Sequence, residues 1–364
     1  MYKEGKAIIK YTKDSFLNAD GAVSRDISVA FISNFADKST KIVDATSATG
    51  LRGIRYYLET PSRDITFLEI NKKVFNSLKK NVKFNKVKAN ALHRSIQEFA
   101  NNFEERFDII DLDPFGGVTP YIYDLLKMCK DNSYLLVTAT DSAVLCGADF
   151  KACMRLYDAR PMHNELCQEA ALRILIGYIA RIASQFNFGV EVQLSFSYMH
   201  YTRVFLKLHH GSNESLESIK KMGYIYYCGK CGYRNIKNSF FPVMQKCPSC
   251  RNEIEVSGKL WAGNIYDYDV IKSMIKHINN GSNFNEKSAK FLQGISDEAD
   301  APLYYSMPML TRKMGIGSVS HNKVIMLLKK KGFMASTTHL EKAAIRTNAD
   351  IETIKKYIKN ASKD

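Results

Sequence analysis

From about Lys41 to His209 short apolar runs alternate with amphipathic stretches, and this alternation restricts the fold more than any other feature of the chain. Lys41–Asp44 (KIVD), Ile65–Ile70 (ITFLEI), Phe107–Leu112 (FDIIDL) and Tyr134–Thr140 (YLLVTAT) read as strands. Gly50–Glu59, Lys72–Asn85 and Thr119–Lys130 read as helices between them. Glu165–Phe186 reads as a long helix with Leu166, Ala170, Ile174, Ile182 and Phe186 near one face. Strands that alternate with helices form a parallel sheet covered on both faces, and such strands are apolar throughout. Val190–Tyr198 and Arg203–His209 are joined by a short turn, so they pair antiparallel. The predicted class is α/β.

Ligands of such sheets bind at the carboxyl ends of the strands, so the residues that end each strand are the informative ones. Asp44 ends the first and is followed by Ala-Thr-Ser-Ala-Thr-Gly-Leu-Arg-Gly. A small-residue loop entering a helix lets backbone approach a ligand closely. Only Gly50 and Gly53 are glycines here, so the loop is not a phosphate-cradling GxGxxG. Glu69 ends the second strand, beside Ile70 and 25 residues after Asp44. A carboxylate there can accept hydrogen bonds from both hydroxyls of a ribose.

The third strand runs into Asp111-Leu112-Asp113-Pro114-Phe115-Gly116-Gly117, and this segment decides the chemistry. Amino methyltransferases carry an acidic or amide residue, a proline and an aromatic at this place. An exocyclic amine on a base is a poor nucleophile, because its lone pair is delocalised into the ring. It must be held in line with a methylsulfonium while acceptors take its hydrogen bonds. Asp113 and the Pro114 carbonyl are the candidate acceptors. Phe115 is the candidate platform for a base taken out of its helix.

An antiparallel pair that ends a parallel sheet resembles the Rossmann-like arrangement of class I methyltransferases. Over nearly its whole length the chain resembles the tRNA (guanine-26-N2)-dimethyltransferase family. The resemblance is carried by Asp44–Tyr56 (DATSATGLRGIRY), Phe107–Gly116 (FDIIDLDPFG), Thr138–Gly147 (TATDSAVLCG), Thr202–Phe205 (TRVF), Gly258–Gly263 (GKLWAG) and Thr337–Leu340 (TTHL). It implies S-adenosylmethionine as cofactor, tRNA as partner, and methylation of the N2 amine of guanine 26. It also implies an N-terminal segment that folds over the cofactor, in which Arg25 of the Arg25-Asp26 pair contacts the methionine carboxylate. By the same resemblance Phe16 is a second aromatic wall opposite Phe115. Arg52 lies near the amino-acid end of the cofactor or orders Asp111. The chain departs from the family where Ser95-Ile96 replaces an Asp-Ala that reads the adenine amine, and where Phe16-Leu17-Asn18-Ala19 replaces Phe-Tyr-Asn-Pro. The expected domains are a methyltransferase domain over residues 1–212 and an α+β C-terminal tRNA-binding domain over 213–364.

Cys228-Gly-Lys-Cys231 and Cys247-Pro-Ser-Cys250 are separated by 15 residues. Two CxxC knuckles at this spacing match a four-cysteine structural zinc ribbon, here about 223–258, with disulfides or an iron–sulfur centre as alternatives. That segment has few aliphatic residues, so a metal would supply its folding energy. Lys230, Arg234, Lys237, Lys246 and Arg251 make it a candidate RNA contact. Beyond it, Ile265–Asn279, Phe284–Ile295, Val319–Lys331 and Ile351–Lys359 read as helices and Phe333–His339 as a strand, the last three in a winged-helix-like order. Arg312, Lys313, Lys342 and Arg346 add to an expected basic surface. Net charge is +15, and residues 211–364 hold 24 of the 52 Lys and Arg but 14 of the 37 Asp and Glu. Such an excess favours a polyanionic partner. No apolar run is long enough for a membrane span and the first residues lack a signal-peptide core, so a cytoplasmic protein is expected. The sequence does not set the oligomeric state, with a monomer favoured. Two rival readings are an amino methyltransferase of ribosomal RNA or DNA, and an inactive zinc-ribbon RNA-binding protein.

Overall fold

Each apolar run that precedes an acidic strand end forms a buried strand. The fold was obtained as a computed structural model, which describes residues 1–11, 17–102 and 105–362. The central sheet comprises β1 (Lys41–Asp44), β2 (Asp64–Leu68), β3 (Asn90–Leu92), β4 (Phe107–Leu112), β5 (Cys129–Ala139), β6 (Phe188–Tyr198) and β7 (Tyr201–His210). Its seven strands lie in the order β3-β2-β1-β4-β5-β7-β6. The first five of these pair in parallel, and β7 runs antiparallel to both β5 and β6. Strand order reverses at β1 and β4, which opens a crevice at their carboxyl ends.

The antiparallel pair lies where expected, but several boundaries differ. β3 was not predicted, since it has only three residues, none of them buried. The helix read over Thr119–Lys130 covers Ile122–Lys127, and Cys129 and Lys130 already belong to β5. The N-terminal segment contributes α1 (Ala22–Phe35), which is buried over most of its length. α2 (Leu51–Glu59) follows β1, α3 (Lys72–Phe84) follows β2, and α4 (Ile96–Asn102) follows β3.

Beyond β7, Met222–Tyr227 forms the middle of a three-stranded antiparallel sheet between Arg234–Asn238 and Glu255–Trp261. The last of these strands lies against the long helix Cys167–Ser184. One buried apolar cluster takes in Ile42, Ile110 and Leu206 of the main sheet together with Ile225, Trp261, Ile271 and Leu292. A smaller cluster centred on Leu310, Val324, Ile345 and Ile354 holds the C-terminal end together. There the strand Glu341–Thr347, absent from the sequence reading, pairs with Ala335–Thr338 and with Tyr305–Ser306. Among the described residues no helix is long and apolar enough to cross a membrane.

Gly177 is where the long helix and the three-stranded sheet approach most closely. A Cβ there would stand 2.9 Å from the Trp261 nitrogen and 3.0 Å from the Leu260 carbonyl carbon, both backbone atoms. Backbone cannot swing aside, so Gly177→Ala is expected to cost about 1–3 kcal/mol of stability through overpacking. A thermal melt tests this, and an unchanged or higher midpoint refutes it.

Candidate active site

A cavity of about 530 Å³ opens at the carboxyl ends of the parallel strands. It is lined by Arg25 from α1, Arg52 from α2, Glu69 and Ile70 after β2, Ser95 and Ile96 at the start of α4, and Asp113, Pro114 and Phe115 after β4. Those nine sequence-predicted residues meet around one space. Asp44, Gly50 and Asp111 are not among its lining residues. Phe16 lies outside the described residues.

Gly50 serves the loop after β1. It is left-handed at φ +81°, where it starts α2, and a Cβ would stand 2.4 Å from the Leu78 side chain. Asp44 accepts a hydrogen bond from the Gly53 nitrogen at 3.0 Å and so fixes the same turn. Burial, reinforced by the neighbouring Asp111, pushes the Asp44 carboxyl up to about 7.

Asp111 is fully buried among cations. Nη2 of Arg203 donates to both its oxygens, at 3.0 and 2.9 Å, and the Tyr56 hydroxyl donates to Oδ2. Arg52 stands 3.6 Å away and pairs more closely with Asp113. Both arginines also donate to the Ser28 hydroxyl of α1. The expected role of Arg52 in ordering Asp111 is therefore shared with Arg203, which the sequence reading passed over. Its signal was a cation within the Thr202–Phe205 (TRVF) motif of β7.

Asp113 is positioned from three sides. Its nitrogen donates to the Thr46 hydroxyl at 2.9 Å, and its carboxylate takes a bond from Arg52. Downstream, Gly116 donates to the Thr140 hydroxyl at 2.7 Å, which ties the loop to the end of β5. Burial pushes the Asp113 carboxyl up, but the Arg52 and Arg203 guanidinia outweigh it and hold the carboxyl below its usual range. Asp113 is thus an ionised acceptor at neutral pH. Phe115, beside it, is 71% exposed at the cavity.

The remaining walls carry further contacts. Glu69 accepts from the Ala48 nitrogen at 3.0 Å and from the Asn71 nitrogen at 2.7 Å. The Ser95 hydroxyl donates to Glu98 at 3.0 Å and accepts from the Glu98 nitrogen at 3.1 Å, a capping box at the start of α4. The side chain expected to stand in for an adenine-reading aspartate is therefore engaged in capping. Arg25 is clamped by Glu4 through Nε and Nη2, both at 2.6 Å. Its Nη1 lies over Gly21, where a Cβ would stand 2.7 Å from it. Burial raises the Glu4 carboxyl, but its bonds to Arg25 and the charge of Arg55 outweigh this and bring it to about 2. Asp26, the next residue, turns away from the cavity. It pairs with Arg55 at 2.7 Å and accepts from the Asn285 nitrogen at 2.8 Å and the Ser288 hydroxyl at 2.7 Å, at the start of the helix Glu286–Ser296.

A second constellation lies in the loops that connect the three-stranded sheet. The sulfurs of Cys228, Cys231, Cys247 and Cys250 are all within 4.8 Å of one another. The Tyr233 nitrogen and the Asn252 amide donate to Cys231 and Cys250 sulfurs at 3.4 and 3.3 Å. Two cations expected on the RNA-facing surface are buried instead. Arg234 donates to the Tyr304 carbonyl and pairs with Glu165, and Arg346 pairs with Glu169 and Glu298.

The topology and the strand-end cavity are those of an α/β methyltransferase. The solved structure of Trm1 from Pyrococcus horikoshii with S-adenosyl-L-methionine matches with a TM-score of 0.92 at 32% identity, covering 98% of this chain and 99% of that one. A profile of the N2,N2-dimethylguanosine tRNA methyltransferase family matches residues 2–359, and the chain belongs to that family. The tRNA (guanine(26)-N(2))-dimethyltransferase of P. horikoshii is 34% identical over 382 residues, with 97% of each chain covered. That of Methanothermobacter thermautotrophicus is 33% identical over 349 residues, covering 94% of this chain and 92% of the relative.

The raised Asp44 carboxyl has a consequence for stability. An unfolded aspartate titrates near about 3.9, so folded Asp44 keeps a proton that the unfolded chain has released. Its contribution is full below that value and is lost as the pH rises through about 7. Asp44→Asn is therefore expected to gain stability relative to the native chain between about pH 5 and about pH 8. Urea unfolding at the two pH values measures this, and an equal difference at both refutes it.

Proposed function

We propose that the strand-end cavity is where a methyl group passes to the N2 amine of a tRNA guanine. As a member of its family the chain is an S-adenosylmethionine-dependent methyltransferase, and guanine 26 is its target. The observation that carries the site assignment is the ionised Asp113 carboxylate beside the exposed Phe115 ring, both at the cavity. S-adenosylmethionine supplies an electrophilic methyl carbon. Glu69 is placed to accept from a ribose, and the Nη1 edge of Arg25 faces a carboxylate. With Ser95 engaged in its cap, the Ile96 backbone and the apolar walls take over recognition of the adenine. Asp113 and the Pro114 carbonyl accept the N–H hydrogen bonds of the guanine amine, which turns its lone pair toward the methyl carbon. Phe115 stacks on the base. As the new C–N bond forms and the methyl–sulfur bond breaks to leave a neutral thioether, positive charge on the nitrogen is met by the Asp113 carboxylate, and the surplus proton passes to solvent. The amine is itself the nucleophile, so no covalent enzyme intermediate is needed.

Residues 213–364 are proposed as the part that grips tRNA. Lys230, Lys237, Lys246, Arg251, Arg312 and Lys342 are exposed there. The four cysteines suit a structural zinc ion. Two sulfur pairs already lie 3.5 Å apart, close to the spacing of about 3.8 Å that tetrahedral Zn–S bonds impose. All four sulfurs converge on one point, which suits a single shared metal better than two separate pairs. The proposed tRNA substrate fits the cytoplasmic location expected from the sequence.

Asp113→Ala is expected to lower turnover by about 100-fold or more while cofactor affinity stays within a few-fold. Labelled methyl transfer to tRNA transcripts measures this, with a guanine-26-to-adenine transcript as the control that loses label. Native turnover in Asp113→Ala refutes the role of that carboxylate. Label retained on the adenine-26 transcript moves the target elsewhere. Elemental analysis is expected to find one zinc per chain, lost together with thermal stability in Cys247→Ser. A metal-free native chain with an unchanged melting point in that variant refutes the zinc reading.

A further inference from the structure

Between Glu217 and Glu253 the chain has no acidic residue and seven Lys and Arg. Arg234 is buried, and the other six are exposed. Within this stretch the loop Ser239–Lys246 joins the strand Arg234–Asn238 to the second cysteine knuckle. It displays Phe240 at 59%, Phe241 at 77% and Val243 at 63% exposure. None of these residues lines the strand-end cavity.

Hydrogen bonds hold the loop in this display. The Tyr224 hydroxyl donates to the Phe240 carbonyl at 3.2 Å, and the Val243 nitrogen donates to the Tyr226 hydroxyl at 2.9 Å. The Ser239 hydroxyl accepts from the Phe241 nitrogen at 3.2 Å and donates to the Phe241 carbonyl. Tyr224 and Tyr226 lie on the middle strand of the small sheet, so the loop is anchored to the strand that pairs on both sides. The Lys259 ammonium lies 5.8 Å from the Phe240 ring centroid. Two aromatic rings fixed in water lose hydrophobic stabilisation, and exposed apolar groups rimmed by polar ones mark a binding surface.

The charge around the rings selects the partner. A ring-bearing stretch that is cationic and itself holds no Asp or Glu complements a polyanion whose apolar parts are flat. Nucleic acid has that chemistry, with phosphates for the lysines and base faces for the rings. Bases in a helix are stacked on each other and offer only edges, so the faces must come from unpaired nucleotides. We propose that the Phe240–Phe241 loop is a stacking platform for unpaired bases of the tRNA, separate from the cavity that takes the target guanine. The proposal rests on the reading of tRNA as substrate.

The test uses the full chain and the double variant Phe240→Ala/Phe241→Ala. Both side chains are exposed, so the fold is expected to survive, which cofactor affinity and the melting point verify. tRNA binding is expected to weaken by about tenfold to a hundredfold, with turnover at saturating tRNA within about twofold of native. Transcripts carrying abasic substitutions in one unpaired segment at a time then locate the partner bases. One segment is expected to weaken the native chain and to leave the variant no weaker than before. Native tRNA affinity in the double variant overturns the proposal, as does a variant that loses affinity equally against every altered transcript. Loss of binding to anionic lipid vesicles with tRNA affinity intact also overturns it, and assigns the rings to a membrane surface. Failure of the native chain to methylate any tRNA bears on the substrate reading instead, because the affinity comparison is read without turnover.

Discussion

The carboxylate of Asp111 is the interaction on which the site depends. It belongs to β4, yet its partners come from elsewhere: Arg203 from β7, and Tyr56 and Arg52 from α2. Arg203 extends the network to Thr138 on β5, and both arginines reach Ser28 on α1. One fully buried anion thus ties three strands to two helices at the point where strand order reverses. Removing one partner from a buried pair leaves an uncompensated charge and costs about 3–5 kcal/mol, so these elements hold or fail together.

That arrangement also sets the chemistry at the surface of the cavity. Arg52 is shared between Asp111 below and Asp113 at the cavity. The buried anion fixes the guanidinium, and the guanidinium keeps the cavity-facing carboxylate ionised and aimed. Two acidic strand-end groups therefore take opposite states. Asp44 is pushed toward its protonated form by burial, and Asp113 is held as an anion where a donor can reach it. A carboxylate below its usual range stays ionised and so can only accept hydrogen bonds.

Much of this was legible in the chain. Acidic residues at the ends of apolar runs located the crevice, and the Asp-Pro-aromatic segment lines it as expected. What escaped has physical causes. Arg203 reads as an ordinary interruption of a strand, since its partners lie 92 and 65 residues away at Asp111 and Thr138. Arg234 and Arg346 were counted toward a basic surface because a sequence shows charge and not burial. Their acids, Glu165, Glu169 and Glu298, come from distant parts of the chain. The capping role of Ser95, by contrast, was present in the Ser-Ile-Gln-Glu order of residues 95–98. β3 escaped because three half-exposed residues carry no periodic signal.

Arg25 and Asp26 are neighbours on one helix and face opposite ways. The first borders the cavity, while the second holds the start of Glu286–Ser296 in the C-terminal half. They are joined again through salt bridges, because Glu4 binds Arg25 and Arg55, and Arg55 binds Asp26. The guanidinium at the cavity edge is thereby joined to the C-terminal helix by an unbroken run of ion pairs and hydrogen bonds, so residues from the far end of the chain share in building the cavity wall.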